Sequence, residues 1–333
     1  MASAVDTDRR SLLLRERSID LRNRQLLVAN VVGTEQEQDL TKPANCNGFG
    51  RIHHFRRTTN EGWPPNPLPI DPACRALAKQ TTDLLHVQVF QVAVCNFACW
   101  YCYVPRSLLN ASESNASWMT AADLVSLYLD EPSRPSVIDL SGGQPDLIPE
   151  WIPWMMRELR NRGLEDSVYL WSDDNLSTDF FWRFLKDEDI QLVASFRNYG
   201  KVCCFKGFNA ESFEFNTGAA GKLFRRQFEL VRRYFDLDID LYGYATFTAP
   251  SADRLRDDMR RFMDDLQAIH NNFPLRVVPL EIRPFSPMGS RLKTEHQRAM
   301  DNQHRAIEFW QEELALRFSA AERDRMITEV PLT

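Results

Sequence analysis

The sequence predicts an α/β fold, a parallel sheet with helical crossovers, and three observations carry that reading. From Leu84 onward, short apolar strand-like runs alternate with amphipathic helical stretches. The 333 residues are 44% hydrophobic, enough to bury a large core as one α/β domain or two smaller ones. Polar or glycine-bearing loops follow the strand-like runs, and parallel sheets build their sites at those strand ends.

Residues 1–80 read as an N-terminal extension, partly irregular and packed on a main domain of residues 81–333. A helix is expected from Arg9 to Asn30, where leucines alternate with arginines. The proline-dense Trp63–Pro69 segment is a non-helical connector. In the main domain the first strand is Leu84–Val94. A helix at Thr120–Asp130 starts with a Thr120/Asp123 capping box, and Ser136–Leu140 is the second strand. A helix at Pro149–Arg162 stops at Gly163, and a strand follows at Ser167–Trp171. The next helix is Asp179–Leu185. The fourth strand is either Ile190–Phe196 or Lys201–Phe205. Then come a helix at Lys222–Phe235, a strand at Ile239–Thr248, a helix from Ser251 to Asn271, a strand at Leu275–Ile282 and a closing helix at Thr294–Phe318.

Cys95-Asn-Phe-Ala-Cys99-Trp-Tyr-Cys102 ends the first strand. Thiolates with C-x-x-x-C-x-x-C spacing on one tight loop suit three corners of a cubane [4Fe–4S] cluster and leave the fourth iron open. A structural zinc is the competing reading, but zinc favours a closed set of four ligands, and the nearest histidine, His86, precedes the loop on the strand. Ser141-Gly-Gly-Gln-Pro145 is the second motif: glycines at a strand end permit positive φ and close approach of main-chain groups to a small molecule, or mark an ordinary turn. In Ser172-Asp173-Asp174-Asn175, the polar residues are either ligands or caps for the next helix. Cys46, Cys74, Cys203 and Cys204 lack spaced pairs and read as buried small side chains.

The cysteine loop, with Tyr101 before its last cysteine, and the glycine turn together resemble the radical S-adenosylmethionine superfamily. Six strand–helix units from Leu84 to Phe318 fit that superfamily's partial (β/α)6 TIM-like barrel. The resemblance implies that Cys95, Cys99 and Cys102 hold a [4Fe–4S] cluster and that the open iron chelates S-adenosyl-L-methionine. It implies that Gly142, Gly143, Gln144 and Pro145 hold the methionine part, with Gln144 standing where the superfamily usually has Glu. Lys206 looks distantly like the lysine of the glycyl-radical-activating branch that meets the cofactor's carboxylate, although Cys204 stands where that branch has aspartate. Tyr101, Asn175 and Phe285 complete the expected cofactor contacts. Catalytic or substrate candidates are Asp173, Asn175 and Arg283, with Asp174, Tyr244 and Thr246 beside them. The implied chemistry is reductive cleavage to a 5′-deoxyadenosyl radical that takes hydrogen from a small-molecule or nucleotide substrate. Radical modification of a protein or peptide, including glycyl-radical activation, and a non-catalytic iron–sulfur or zinc protein are the alternatives. A one-electron donor such as flavodoxin or ferredoxin is the implied partner.

The net charge of −6 argues against a broad nucleic-acid-binding surface. No apolar run approaches the roughly 20 residues of a membrane span, and the charged N-terminal stretch lacks a signal-peptide core. Seven cysteines, an odd number, fit a reducing compartment, so a cytoplasmic location is expected.

Overall fold

The computed structural model describes residues 7–332. Its elements run α1 (Thr7–Glu16), β1 (Ile19–Asp20), β2 (Gln25–Ala29), β3 (Gly50–Arg56), α2 (Ile70–Ala76), β4 (Leu84–Phe90), β5 (Ala116–Thr120), α3 (Ala121–Asp130), β6 (Val137–Leu140) and α4 (Trp151–Asn161). They continue with β7 (Tyr169–Asp174), α5 (Phe180–Phe184), α6 (Asp187–Ser195), β8 (Tyr199–Phe205), α7 (Ala210–Thr217), α8 (Phe224–Phe235), β9 (Leu241–Thr246), α9 (Leu255–Gln267), β10 (Val277–Leu280), α10 (Thr294–Arg317) and α11 (Ala320–Arg323).

The main sheet has seven strands in the order β3-β4-β6-β7-β8-β9-β10. From β4 to β10 every pairing is parallel, whereas β3 joins β4 antiparallel. The sheet curls into a half-barrel, the partial (β/α)6 architecture, with an extra antiparallel edge. All seven residues of β8 are buried, as a strand covered on both faces requires. Two apolar layers follow from the strand alternation. Ile138, Leu140, Leu170, Cys203 and Phe205 pack outward against the helices. Val87, Val89, Val137, Trp171, Val202 and Tyr242 face the lumen. Gly200 sits in β8 because a Cβ there would collide with the Tyr169 hydroxyl and lie 2.8 Å from the Trp171 ring.

Leu68, Ala73 and Ile327 fill the lumen beside Val87 and Val137, at the start of the strands. The Trp63 indole N–H donates to the Pro279 carbonyl (3.2 Å), so the proline-rich segment spans from β3 to β10 across the open side of the barrel. Among the described helices, none is long and apolar enough to cross a membrane.

The structure corrects the N-terminal helix. It ends at Glu16, and Gln25–Ala29 is a strand pairing antiparallel with β5. At the helix end Ser18 N–H donates to the Arg15 carbonyl (3.0 Å) and its Oγ to that of Leu14 (2.7 Å), and Asp20 then accepts from the backbone N–H groups of Arg22 (2.9 Å) and Asn23 (3.1 Å) to turn β1 into β2. The fourth parallel strand is Tyr199–Phe205, while Asp187–Ser195 is helical. The first strand ends at Phe90, because Val92 and Val94 leave β4 for isolated bridges to Val28 and Asn110. The Thr120/Asp123 capping box forms as expected.

Candidate active site

The cysteine loop hangs from the C-terminal end of the parallel strands. Cys95, Cys99 and Cys102 line one cavity of about 240 Å³ with Phe97, Ala98, Arg10, Arg106 and Arg291. Backbone bonds shape the loop: Ala98 N–H donates to Thr217 O (2.9 Å), and Trp100 N–H to Asn216 O (3.3 Å). The Trp100 ring stacks on His296 with centroids 4.5 Å apart, and its indole N–H donates to Asn216 Oδ1 at 3.1 Å. Arg291 fastens the other side, donating to the carbonyls of Cys99 (3.2 Å) and Cys102 (2.5 Å). Arg10 donates to the Cys95 carbonyl at 3.4 Å.

Burial pushes the Cys95 thiol up to about 11, with the nearby Cys102 adding to it, and burial pushes Cys99 up to about 12. Neutral buried thiols of this kind deprotonate when a metal supplies the local positive charge. No group of three or more described His, Cys, Asp or Glu side chains gathers around a single-ion position. Cys95, Cys99 and Cys102 share the wall of one cavity. The donor set, the guanidinium groups around it and the Asn175 amide, whose Nδ2 lies 3.8 Å from Cys95 Sγ, fit an anionic thiolate-ligated cluster.

The glycine turn packs against the loop. Gly142 and Gly143 both take positive φ, 83° and 78°. A Cβ on Gly143 would lie 2.6 Å from the Val94 carbonyl, so only glycine lets the turn lie against residues 92–94. Gln144 N–H donates to Val94 O at 2.7 Å. The Gln144 side chain is buried and engaged: Oε1 accepts from Asn175 N–H (2.9 Å), and Nε2 donates to Asp174 Oδ1 (2.8 Å). Pro145 opens a buried helical turn. Asn175 also donates to Asn96 Oδ1 at 3.0 Å, while its own Oδ1 has no partner. Gln144 thus holds Asn175 beside Cys95.

Asp173 and Asp174, adjacent in sequence, part company. Asp174 turns to the helix side, where the Tyr234 hydroxyl donates to it at 2.9 Å. Asp173 faces the lumen and accepts from Ser141 Oγ at 2.6 Å. Lys206 lies among Asp173, Cys99, Tyr101 and Cys204; burial works against its charge, but these neighbours outweigh it and hold its pKa above the ordinary lysine value. Tyr101 is buried, its hydroxyl 3.3 Å from Thr246 Oγ1. Tyr244 is tied to the lumen-filling segment at Leu68, donating to its carbonyl at 3.1 Å. Phe285 stands at the rim, 42% exposed and 6.1 Å from the Tyr103 ring. Arg283 pairs with Glu281, its Nε donating at 2.9 Å, while one terminal guanidinium nitrogen makes no hydrogen bond.

Three lumen residues were not singled out from the sequence. Arg51, Val89 and Asp139 lie in register on β3, β4 and β6 and point into the barrel as one row. Asp139 is 2% exposed and its Oδ1 has no partner; Arg51 is 5% exposed with Nε unpartnered. Arg51 is held by the Tyr103 hydroxyl at 3.1 Å. Tyr103 directly follows Cys102, which links this row to the cysteine loop.

No protein-family model matches the chain, and no curated protein does. Among solved structures, Streptococcus suis SuiB bound to S-adenosylmethionine gives a TM-score of 0.44 at 14% identity, over 70% of this chain and 48% of that one. A second structure of Streptococcus suis SuiB gives 0.48 at 12% identity, over 70% and 47%. Native anSMEcpe with bound AdoMet gives 0.42 at 12% identity, over 67% and 60%. The chain spans about half the length of SuiB.

Proposed function

We propose that the chain is a radical S-adenosylmethionine enzyme acting on a small polar substrate. The observation that supports this reading is the common wall: Cys95, Cys99 and Cys102 line one cavity at the C-terminal strand ends, next to the positive-φ turn at Gly142-Gly143. When bound, the cluster and S-adenosyl-L-methionine would supply a 5′-deoxyadenosyl radical able to take a hydrogen atom from substrate.

The chain's own residues position and shield. The three cysteines would hold the iron, with Arg291 and Arg10 fixing the loop carbonyls. Lys206, buried beside Asp173, Tyr101 and the cysteine loop, offers a cation for the cofactor's carboxylate. The Asn175 amide donates towards Cys95 and tunes that ligand. Tyr101, Thr246 and Cys204 wall the space between the loop and the lumen and keep stray donors out. Asp173, with Arg51 and Asp139 further in, presents charge and unmet hydrogen-bond capacity to a small polar substrate.

The test is anaerobic reconstitution with iron and sulfide, followed by product analysis with dithionite. About four irons per chain and slow 5′-deoxyadenosine release are expected. One zinc per chain, or a cluster that never yields 5′-deoxyadenosine, would overturn the reading.

A further inference from the structure

Helix α1 lays one face beside the cysteine cavity. Arg10, Leu13, Leu14 and Arg17 follow the i, i+3, i+4, i+7 spacing and so share one side of the helix and its continuation. With Arg9 and Asn110 they line a second cavity of about 370 Å³. Arg10 and Asn110 line both cavities, which makes the two contiguous. Other side chains anchor the helix: Arg15 ion-pairs with buried Glu150, Asp8 pairs with Arg226, and Ser11 Oγ accepts from Asn96 at 2.9 Å. Leu13 stays 44% exposed between the arginines. Arg106 and Arg291 carry the positive charge on to the cysteines.

We infer that this face, built from Arg9, Arg10, Leu13, Arg17 and Arg106, docks a small acidic one-electron carrier protein. The inference rests on reading the cysteine loop as a cluster site. Three features of the face support it. The chain as a whole carries a net charge of −6, so a patch of four arginines is a local reversal of sign that steers an acidic partner to this spot. An exposed leucine ringed by charge has the make-up of a small interface, apolar at the centre and polar at the rim. The face also shares Arg10 with the cysteine cavity, so a docked carrier sits against the wall of the site it must reduce. One electron leaves the carrier's reduced centre and enters the cluster; the carrier is oxidised by one unit, the cluster is reduced by one, and no atom or proton moves between them.

The test uses the full chain, wild type and an Arg17→Glu/Leu13→Asp double variant; neither residue lines the cysteine cavity. Oxidised flavodoxin is the probe, and its affinity is measured calorimetrically over a salt series. Wild type should bind with an affinity that falls as salt rises, and the double variant should bind at least about tenfold more weakly. With reconstituted protein, flavodoxin-driven 5′-deoxyadenosine formation should drop by a similar factor, while dithionite-driven formation and the melting temperature stay at the wild-type values. Equal flavodoxin affinity in the two proteins would overturn the inference. So would an equal loss of dithionite-driven formation, since the face would then serve S-adenosyl-L-methionine or an acidic peptide substrate. Failure of wild type to form 5′-deoxyadenosine with dithionite would instead defeat the radical reading itself.

Discussion

The barrel wall carries two buried polar networks, one on each face, and they are built to opposite standards. On the helix side, Lys201 donates to Asp146 at 2.6 Å with both side chains essentially sealed. The Tyr234 hydroxyl reaches Asp146 (3.2 Å) and Asp174 (2.9 Å), and Gln144 and Leu176 N–H donate to Asp174 at 2.8 Å each. In the lumen, Asp139 Oδ1 and Arg51 Nε have no partner at all. A satisfied network specifies a structure, whereas an unsatisfied one in the same wall leaves bonding capacity for a ligand. The helix-side network ties the glycine turn to the end of β7 through Gln144.

Removing a cysteine should have the largest effect. Cys99→Ala should abolish 5′-deoxyadenosine formation and bring bound iron, measured on the anaerobically reconstituted protein, to a small fraction of wild type. Next comes the sealed ion pair: Lys201→Met strands Asp146 and should destabilise the fold by about 3–5 kcal/mol in urea unfolding. The lumen acid should behave the other way. Asp139→Asn replaces a buried carboxyl that the fold holds protonated and should raise stability at neutral pH by about 1 kcal/mol or more, while lowering turnover of substrate. A loss of stability comparable to that of Lys201→Met would make the two networks equivalent and break the comparison.

pH sharpens the same contrast. Burial, with Asp173 nearby, raises the Asp139 pKa well above its ordinary value, and burial raises that of Asp173. The folded chain therefore binds these protons more tightly than the unfolded one, so stability falls as pH rises from the unfolded carboxylate pKa of about 4 to the folded values. Asp139→Asn should flatten that fall, and the difference from wild type should vanish in acid. Urea midpoints across a pH series read it directly. A more local effect is expected at the loop clamp: Arg291→Met removes two bonds to the cysteine carbonyls and should cost about 1–3 kcal/mol, seen as faster iron loss to a chelator.

Legibility in the sequence followed the range of the interaction. The cysteine loop, the Thr120 cap and the Gly163 stop depend on neighbours within a few residues, and each was readable. Gln25–Ala29 was misread because Leu26 and Leu27 continue the leucine spacing of α1, and only pairing with β5 makes that stretch a strand. β3 escaped notice because Gly-Arg-Ile-His-His-Phe-Arg lacks a clean apolar alternation; its place is set by its register on β4. Asp139 sits inside the apolar run Val-Ile-Asp-Leu, and nothing local tells a lumen acid from an edge residue. Arg291 meets carbonyls nearly two hundred residues earlier, a contact no local pattern reports.

The most direct measurement is electron paramagnetic resonance of the dithionite-reduced, reconstituted chain with and without S-adenosyl-L-methionine. The account predicts a [4Fe–4S]+ signal that shifts when the cofactor is added, because three cysteines leave one iron open to it. A signal indifferent to S-adenosyl-L-methionine, or a chain that holds zinc in place of iron, would contradict it.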